Sequence, residues 1–263
     1  MDTCSGKPPR TSDLDHAGLP PGLPAILLLV AALLASLASP SRATADPITV
    51  AVDVGHDRRE PGAISARGRD EFAFNLDLAH RLVDPLLSRG IAVRQINFDG
   101  TIENLAARPQ QAAGASFFLS IHHDSVHPDL LSEWQWQGTP RNYSDHHAGF
   151  ALFVSRANPR LETSLRCASA IGALLRRNGF SPATHHAQPL RGTARPPADA
   201  ANGAYYYDML VVLRRATLPA VLFEAGVIKN RREELDLLDP ARQRRMADAI
   251  ATGIAACLYT GAR

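Results

Sequence analysis

Beyond a single long apolar run near the amino terminus, the chain alternates between two patterns. Short β-branched apolar runs predict strands, and stretches with apolar residues every three or four positions predict helices. Ile48 to Val52 is read as the first strand. From Glu71 to Leu87, Phe72, Leu76, Ala79, Leu82, Val83 and Leu86 recur at helical spacing, and Ser88-Arg89-Gly90 supplies the stop. Ile91 to Ile96 predicts a second strand and Leu105 to Ala113 a short helix. Phe117 to Ile121 predicts a third strand, apolar almost throughout and suited to burial on both faces of a parallel sheet. Val126 to His147 reads as irregular, with Trp134, Trp136 and Tyr143 among polar neighbours. Gly149 to Val154 resumes a strand, and Leu161 to Asn178 is a helix ended by Gly179. Ser181 to Tyr205, rich in Pro, Ala, Gly and His, reads as a long loop suited to act as a lid. Met209 to Leu213 and Ala220 to Phe223 predict two more strands, and Arg231 to Leu258 the closing helix or helices. The alternation predicts one α/β domain with a mixed, mostly parallel central sheet of about five to six strands flanked by helices.

The apolar run, Ala25 to Ala38, is shorter than the roughly 20 residues a spanning helix needs. With Lys7 and Arg10 upstream and Ala43-Thr44-Ala45 before Asp46, it reads as the core of a signal peptide followed by a small-x-small cleavage site. The expected organisation is a leader over 1–45 and one catalytic domain over 46–263, exported to the periplasm, the cell envelope or the extracellular space. Cys4 then falls in the leader. Cys167 and Cys257 remain, each within a helical pattern, and are expected as two separately buried small side chains because no disulfide framework is visible. Without a Cys-x-x-Cys pair, any metal site must be built from histidines and carboxylates.

Charge narrows the range of partners. The 263 residues carry a net charge of +2 with both signs interspersed. No basic block is present of the kind that follows a phosphate backbone, so nucleic acid is not an expected partner, whereas the many arginines suit an anionic surface such as a cell wall.

Four polar positions follow apolar strands or open helices. Asp53-Val54-Gly55-His56-Asp57 ends the first strand, and Gly55 permits the sharp turn that aims His56 outward. Glu71 opens a helix, where the dipole favours a carboxylate whatever its role. Ser120-Ile121-His122-His123-Asp124 ends the third strand, and Glu224 follows the apolar run Pro219 to Phe223. In open α/β sheets reactive groups gather at the carboxyl ends of strands. An acid at the end of a buried strand is costly unless it has a partner or a task. Two histidines and one carboxylate form the ligand set of a catalytic zinc site with one position left open, and a further carboxylate completes a metallohydrolase.

The runs Asp53-Val54-Gly55-His56, Gly62-Ala63, Glu71 with Asn75-Leu76, Leu105 with Arg108, Phe118-Leu119-Ser120-Ile121-His122, and Pro219 to Gly226 with Asn230 resemble the zinc-dependent N-acetylmuramoyl-L-alanine amidases, in order and interval, over nearly all of 46–263. The resemblance implies a phosphorylase/hydrolase-like fold, one Zn2+ per chain held by His56, Glu71 and His122, and Glu224 as the catalytic carboxylate. It further implies peptidoglycan as substrate, cut between N-acetylmuramic acid and the L-alanine of the stem peptide, by a monomer whose activator, if it has one, is unknown. Departures are Val54 in place of a proline, Asp57 in place of a second glycine, and His123-Asp124 in place of Ala-Asn. No inserted helix long enough to cover the site is legible, so an open site is expected.

Other polar residues keep two readings. Asn75, one helical turn beyond Glu71, is a contact behind the metal ligands or ordinary surface polarity. Arg214 and Arg215 either steer a stem-peptide carboxylate or are solvated charges. His146, His147, His185 and His186 are expected as exposed loop residues, though their pairing permits a second, adventitious metal. Rival functions are a zinc hydrolase of another amide, a catalytically silent peptidoglycan-binding module, and a structural zinc protein.

Overall fold

The computed structural model describes residues 47–188 and 194–260. The leader, Cys4 and the cleavage motif lie outside the described residues. In chain order the elements are β1 (Thr49–Val54), α1 (Glu71–Leu87), β2 (Ala92–Ile96), α2 (Ala107–Gln111), β3 (Phe117–Asp124), β4 (Ser132–Trp136), β5 (Thr139–Tyr143), β6 (Ala151–Val154), α3 (Leu161–Arg177), β7 (Pro197–Asp199), β8 (Ala204–Tyr206), α4 (Val211–Arg215), β9 (Ala220–Val227), α5 (Glu233–Leu238) and α6 (Pro240–Thr260).

A seven-stranded sheet runs in the order β2-β1-β3-β9-β6-β8-β7. Strands β2, β1, β3 and β9 are parallel, so their carboxyl ends gather along one edge, while β6 is antiparallel to β9. The α/β class and the mostly parallel sheet agree with the sequence pattern. The sheet is wider than the expected five to six strands because β7 and β8, of three residues each, form within the stretch read as a loop.

Alternation along the strands divides the core. Val50, Val52 and Val54 of β1, Leu119 and Ile121 of β3, and Val221 and Phe223 of β9 join Leu78 and Leu82 of α1, Ile171 of α3 and Ile250 of α6 in one cluster. Ala51, Phe118 and Leu222 point the other way, toward Val212 and Leu213 of α4. His122 continues the series of Phe118, and Glu224 that of Leu222. Both therefore belong to the face that the long helices leave uncovered, where there is space for a ligand.

Three expectations need correction. Met209 to Leu213 is not a strand: helix α4 begins at Val211, and the buried Asn158 amide donates to the carbonyls of Leu213 (3.0 Å), Ala216 (3.2 Å) and Leu218 (3.1 Å), which ties α4 to the approach to β9. A five-residue apolar run fits a buried strand or a buried helical turn equally well. Arg214 and Arg215 are exposed and precede the start of β9, whereas Glu224 lies four strand residues, about 13 Å, beyond Ala220. That placement removes them from the site. Val126 to His147 is not wholly irregular either, since β4 and β5 form a hairpin closed by Gln137-Gly138, both at positive φ.

The third correction concerns the cysteines. Cys167 of α3 and Cys257 of α6 form a disulfide, with Cα atoms 5.1 Å apart across a sequence separation of 90. The two helices approach closely at the neighbouring turn, where a Cβ on Gly253 would fall 2.6 Å from the Ile171 Cα. In the chain-entropy account, closing a loop of this length stabilises by about 4.6 kcal/mol through the unfolded state. The Cys167→Ala/Cys257→Ala double variant is expected to unfold at a correspondingly lower denaturant concentration than the oxidised protein. Equal midpoints would mean that the bond adds nothing to stability.

Candidate metal centre

Strand β1 ends at Val54, and the chain turns through Gly55 into His56, which takes a left-handed backbone at φ 65°. Such a conformation is uncommon for a residue with a side chain and persists only where its surroundings hold it. Here they do. Asn97, itself at φ 59°, donates its amide to the carbonyls of Val54 (2.7 Å) and His56 (2.6 Å). Arg108, buried to 1% exposure, donates to the same two carbonyls and to Ile102. Arg108 belongs to the motif that carried the family resemblance but had no role assigned, and Asn97 was missed. Its only signal is an asparagine at a strand end, a residue type that tolerates a left-handed backbone.

Glu71, the first residue of α1, lies where the helix begins at the carboxyl ends of the strands. Its Oε1 is 3.0 Å from His56 Nε2 and 3.1 Å from His122 Nδ1, and its Oε2 accepts from the Ala63 amide at 3.1 Å. Burial pushes the Glu71 carboxyl up, but hydrogen bonds from His122 and His56 outweigh it and hold the group well below the usual carboxylate range. Gly55 is required by the close approach: a Cβ there would stand 2.2 Å from the His122 ring. Side-chain exposure falls from 32% at His56 to 15% at His122 and 6% at Glu71, so the triad opens to solvent past His56.

Behind the triad, Asn75 donates to the Gly55 carbonyl (3.1 Å) and Glu71 Oε1 (3.4 Å), and its Oδ1 meets His123 Nδ1 at 2.8 Å. With its amide nitrogen spent as donor, Asn75 must accept there, so His123 carries its proton on Nδ1. Burial pushes the His123 pKa down to about 3 and keeps the ring neutral. Asn75 is thus a buried support rather than surface polarity. Of the adjacent histidines, His122 faces the triad and His123 faces away from it, toward Phe74 and Asn75.

Glu224 of β9 pairs in register with His122 of β3. Its Oε2 is buried and has no hydrogen-bond partner among the described residues. Burial, then the negative charges of Asp124 and Glu71, push its pKa well above the usual range. A buried carboxyl beside other carboxylates is the environment in which a proton-transfer role or a bound cation is expected. The donor set fits zinc: two imidazoles and one carboxylate offer ligand atoms within 4.8 Å of one another, and the spacings at Glu71 are close to the ~3.3 Å between ligands of a tetrahedral ion with ~2.0 Å bonds.

The remaining histidines differ from expectation. His146 is exposed and His147 partly so, but His185 and His186 are largely buried, in a short 3-10 turn against Asp124. Burial pushes the Asp124 carboxyl up, and the close contacts of His185 and His186 with it more than offset this, leaving it below its usual value. A cavity of about 300 Å³ opens here, with Asp124, Phe153, His186, Tyr207 and Glu224 in its wall.

Comparison with known proteins places these residues in a family. A family model described as N-acetylmuramoyl-L-alanine amidase matches residues 50–256. The chain is 28% identical over 239 residues to the probable N-acetylmuramoyl-L-alanine amidase AmiB of Haemophilus influenzae, covering 81% of this chain and 52% of that protein. It thus spans about half the length of that curated relative. Among solved structures, the N-acetylmuramyl-L-alanine amidase Ami1 from Mycobacterium smegmatis superposes with a TM-score of 0.64 at 21% identity, covering 81% of this chain and 97% of that one. An N-acetylmuramoyl-L-alanine amidase from Clostridium difficile 630 gives 0.63 at 19% identity, with 82% and 99% covered. At these identities the two structures speak for the fold alone.

Proposed function

This chain belongs to the N-acetylmuramoyl-L-alanine amidase family, and on that premise we propose that it hydrolyses the amide between N-acetylmuramic acid and the L-alanine of peptidoglycan stem peptides, using one zinc ion held by His56, Glu71 and His122 and Glu224 as general base. The observation that carries the reading is the convergence of two imidazole nitrogens on Glu71 Oε1, with Glu224, whose Oε2 has no hydrogen-bond partner among the described residues, in register beside His122.

Zinc in such a site polarises a carbonyl and lowers the pKa of a water molecule. The rest falls to the protein. Glu224 accepts the proton of the attacking water and returns it to the departing amine as the C–N bond breaks, which needs one carboxyl able to hold a proton in a dry setting. Its burial and its anionic neighbours favour the protonated form that returns the proton to the amine, and the charge of a zinc ion at His56, Glu71 and His122 would keep it ionised beforehand. Asn75, Asn97 and Arg108 hold the ligands in place through the carbonyls of Gly55 and His56 and through the carboxylate of Glu71. The disulfide between Cys167 and Cys257 suits an oxidising compartment, in keeping with a 1–45 leader that directs export to the envelope.

The test is digestion of purified sacculi by the chain without its leader. Release of soluble stem peptides with a free L-alanine amine, blocked by a chelator and restored by zinc, is the expected result. Release of cross-bridge fragments instead, with intact muramoyl amides, would reassign the substrate bond.

A further inference from the structure

We propose that Asp124, His185 and His186 form a second metal site, for a divalent first-row transition cation, on the far side of Glu224 from the His56, Glu71 and His122 centre.

The argument begins with geometry. His185 Nε2 lies 2.8 Å and His186 Nε2 3.0 Å from the same oxygen, Asp124 Oδ2. This repeats the arrangement at Glu71, where two imidazole nitrogens meet one carboxylate oxygen at 3.0 and 3.1 Å. The side chains of His185, His186 and Asp124 are 9%, 13% and 10% exposed, so the cluster is set into the protein rather than scattered over its surface. No ligand is shared between the two centres, and the inference does not depend on the first being occupied.

Hydrogen bonding alone leaves the cluster incomplete. The His185–Asp124 contact is aligned as a hydrogen bond. His186 Nε2, 3.0 Å from the same oxygen, is buried with no aligned partner among the described residues. The two rings sit 4.1 Å apart, with both Nε2 atoms turned toward the one carboxylate oxygen. A single cation among the three groups gives each of these nitrogens a partner.

The fold presents the ligands for this purpose. The pairing of β3 with β9 shifts register between His122 and Asp124, an irregularity that re-aims Asp124 at the strand end, as bulges beside active sites do. The Asp124 carbonyl is bonded to the Ile228 amide at 3.0 Å, which leaves the carboxylate free of any backbone duty. The 3-10 turn over His185–Ala187 directs two successive imidazoles the same way. His186 is wedged edge-on against Phe153 at 5.0 Å and against Tyr205 at 5.7 Å, so its ring orientation is set by packing.

The donor set limits the ion. Two imidazoles among three protein ligands suit Zn2+ or its transition-series neighbours and not Ca2+ or Mg2+, which take oxygen. Asp124, His185 and His186 lie in the wall of the cavity that Glu224 also lines, so an ion held by them would be open to exchangeable ligands.

The test counts zinc on the chain without its leader, stripped by chelator, reloaded with Zn2+ and weighed by native mass spectrometry alongside elemental analysis. The wild type is expected to hold two, and His185→Ala/His186→Ala to hold one fewer than wild type, whatever the state of the first centre. Asp124→Asn preserves volume and the backbone bond to Ile228, and it guards against a double variant that fails to fold. Altering a mere neighbour of a ligand costs about 10–100-fold in affinity, so Asp124→Asn is expected to weaken one zinc by at least that much. If both variants hold as many zinc ions, as tightly, as the wild type, the second site does not exist. Loss of one zinc in His185→Ala/His186→Ala but none in His56→Gly would leave this site standing and overturn the first centre instead.

Discussion

Glu224→Gln is expected to abolish amide turnover while leaving the metal and the fold in place. The side chain keeps its volume, and a neutral amide replaces a carboxyl that burial, Asp124 and Glu71 already drive toward neutrality. The substitution thus relieves a buried group of its charge cost and is expected to leave the melting temperature equal to or above that of the wild type. Chemistry responds in the opposite direction. A glutamine cannot accept the water proton, and losing a positioned general base costs about 10²–10⁴ in rate. Stem-peptide release from sacculi, zinc content and thermal unfolding, measured on one preparation, separate these effects. Turnover within a few fold of wild type would remove Glu224 from the reaction; a loss of zinc alongside activity would make it a ligand rather than a base.

How much of this could be read from the chain depends on how local the determinant is. Strand β1, helix α1 and strand β3 were legible because a short apolar run or a period of 3.6 is written into consecutive residues, and α1 begins at Glu71 as the pattern predicts. Glu71, His122 and Glu224 stand out for the same reason, as polar groups set where an apolar run ends or begins. Determinants that exist only after folding were not legible. Cys167 and Cys257 each look like an ordinary helical cysteine until α3 and α6 cross. His185 and His186 lie 61 and 62 residues from Asp124 in a stretch without period, so nothing local marks them as its partners. The β4–β5 hairpin escaped because its turn is Gln137-Gly138 rather than Asn-Gly, and because its aromatic face packs on cations instead of a core: the Arg67 guanidinium lies 4.9 Å from the Trp136 ring centroid and that of Arg231 3.7 Å from Tyr143.

His56 tests the first centre most directly, and the choice of replacement matters. Its backbone lies at φ 65°, where alanine is strained and glycine is not, so His56→Gly removes the imidazole without adding a backbone penalty. The carbonyl of residue 56, which anchors Asn97 and Arg108, is retained. Two protein ligands remain, Glu71 and His122, and the zinc affinity of this centre is expected to fall by more than the ~10–100-fold seen when only a ligand's support is lost. Turnover should fall with it at sub-saturating zinc. The metal-free protein should also lose about 1–3 kcal/mol, because a buried Glu71 carboxylate gives up one of its two imidazole partners. Zinc bound at Asp124 would mask the effect, so the affinity must be measured in the His185→Ala/His186→Ala background, where only the first centre can report. Wild-type zinc affinity and turnover in that triple variant would show that His56 is not a ligand, whatever its proximity to Glu71.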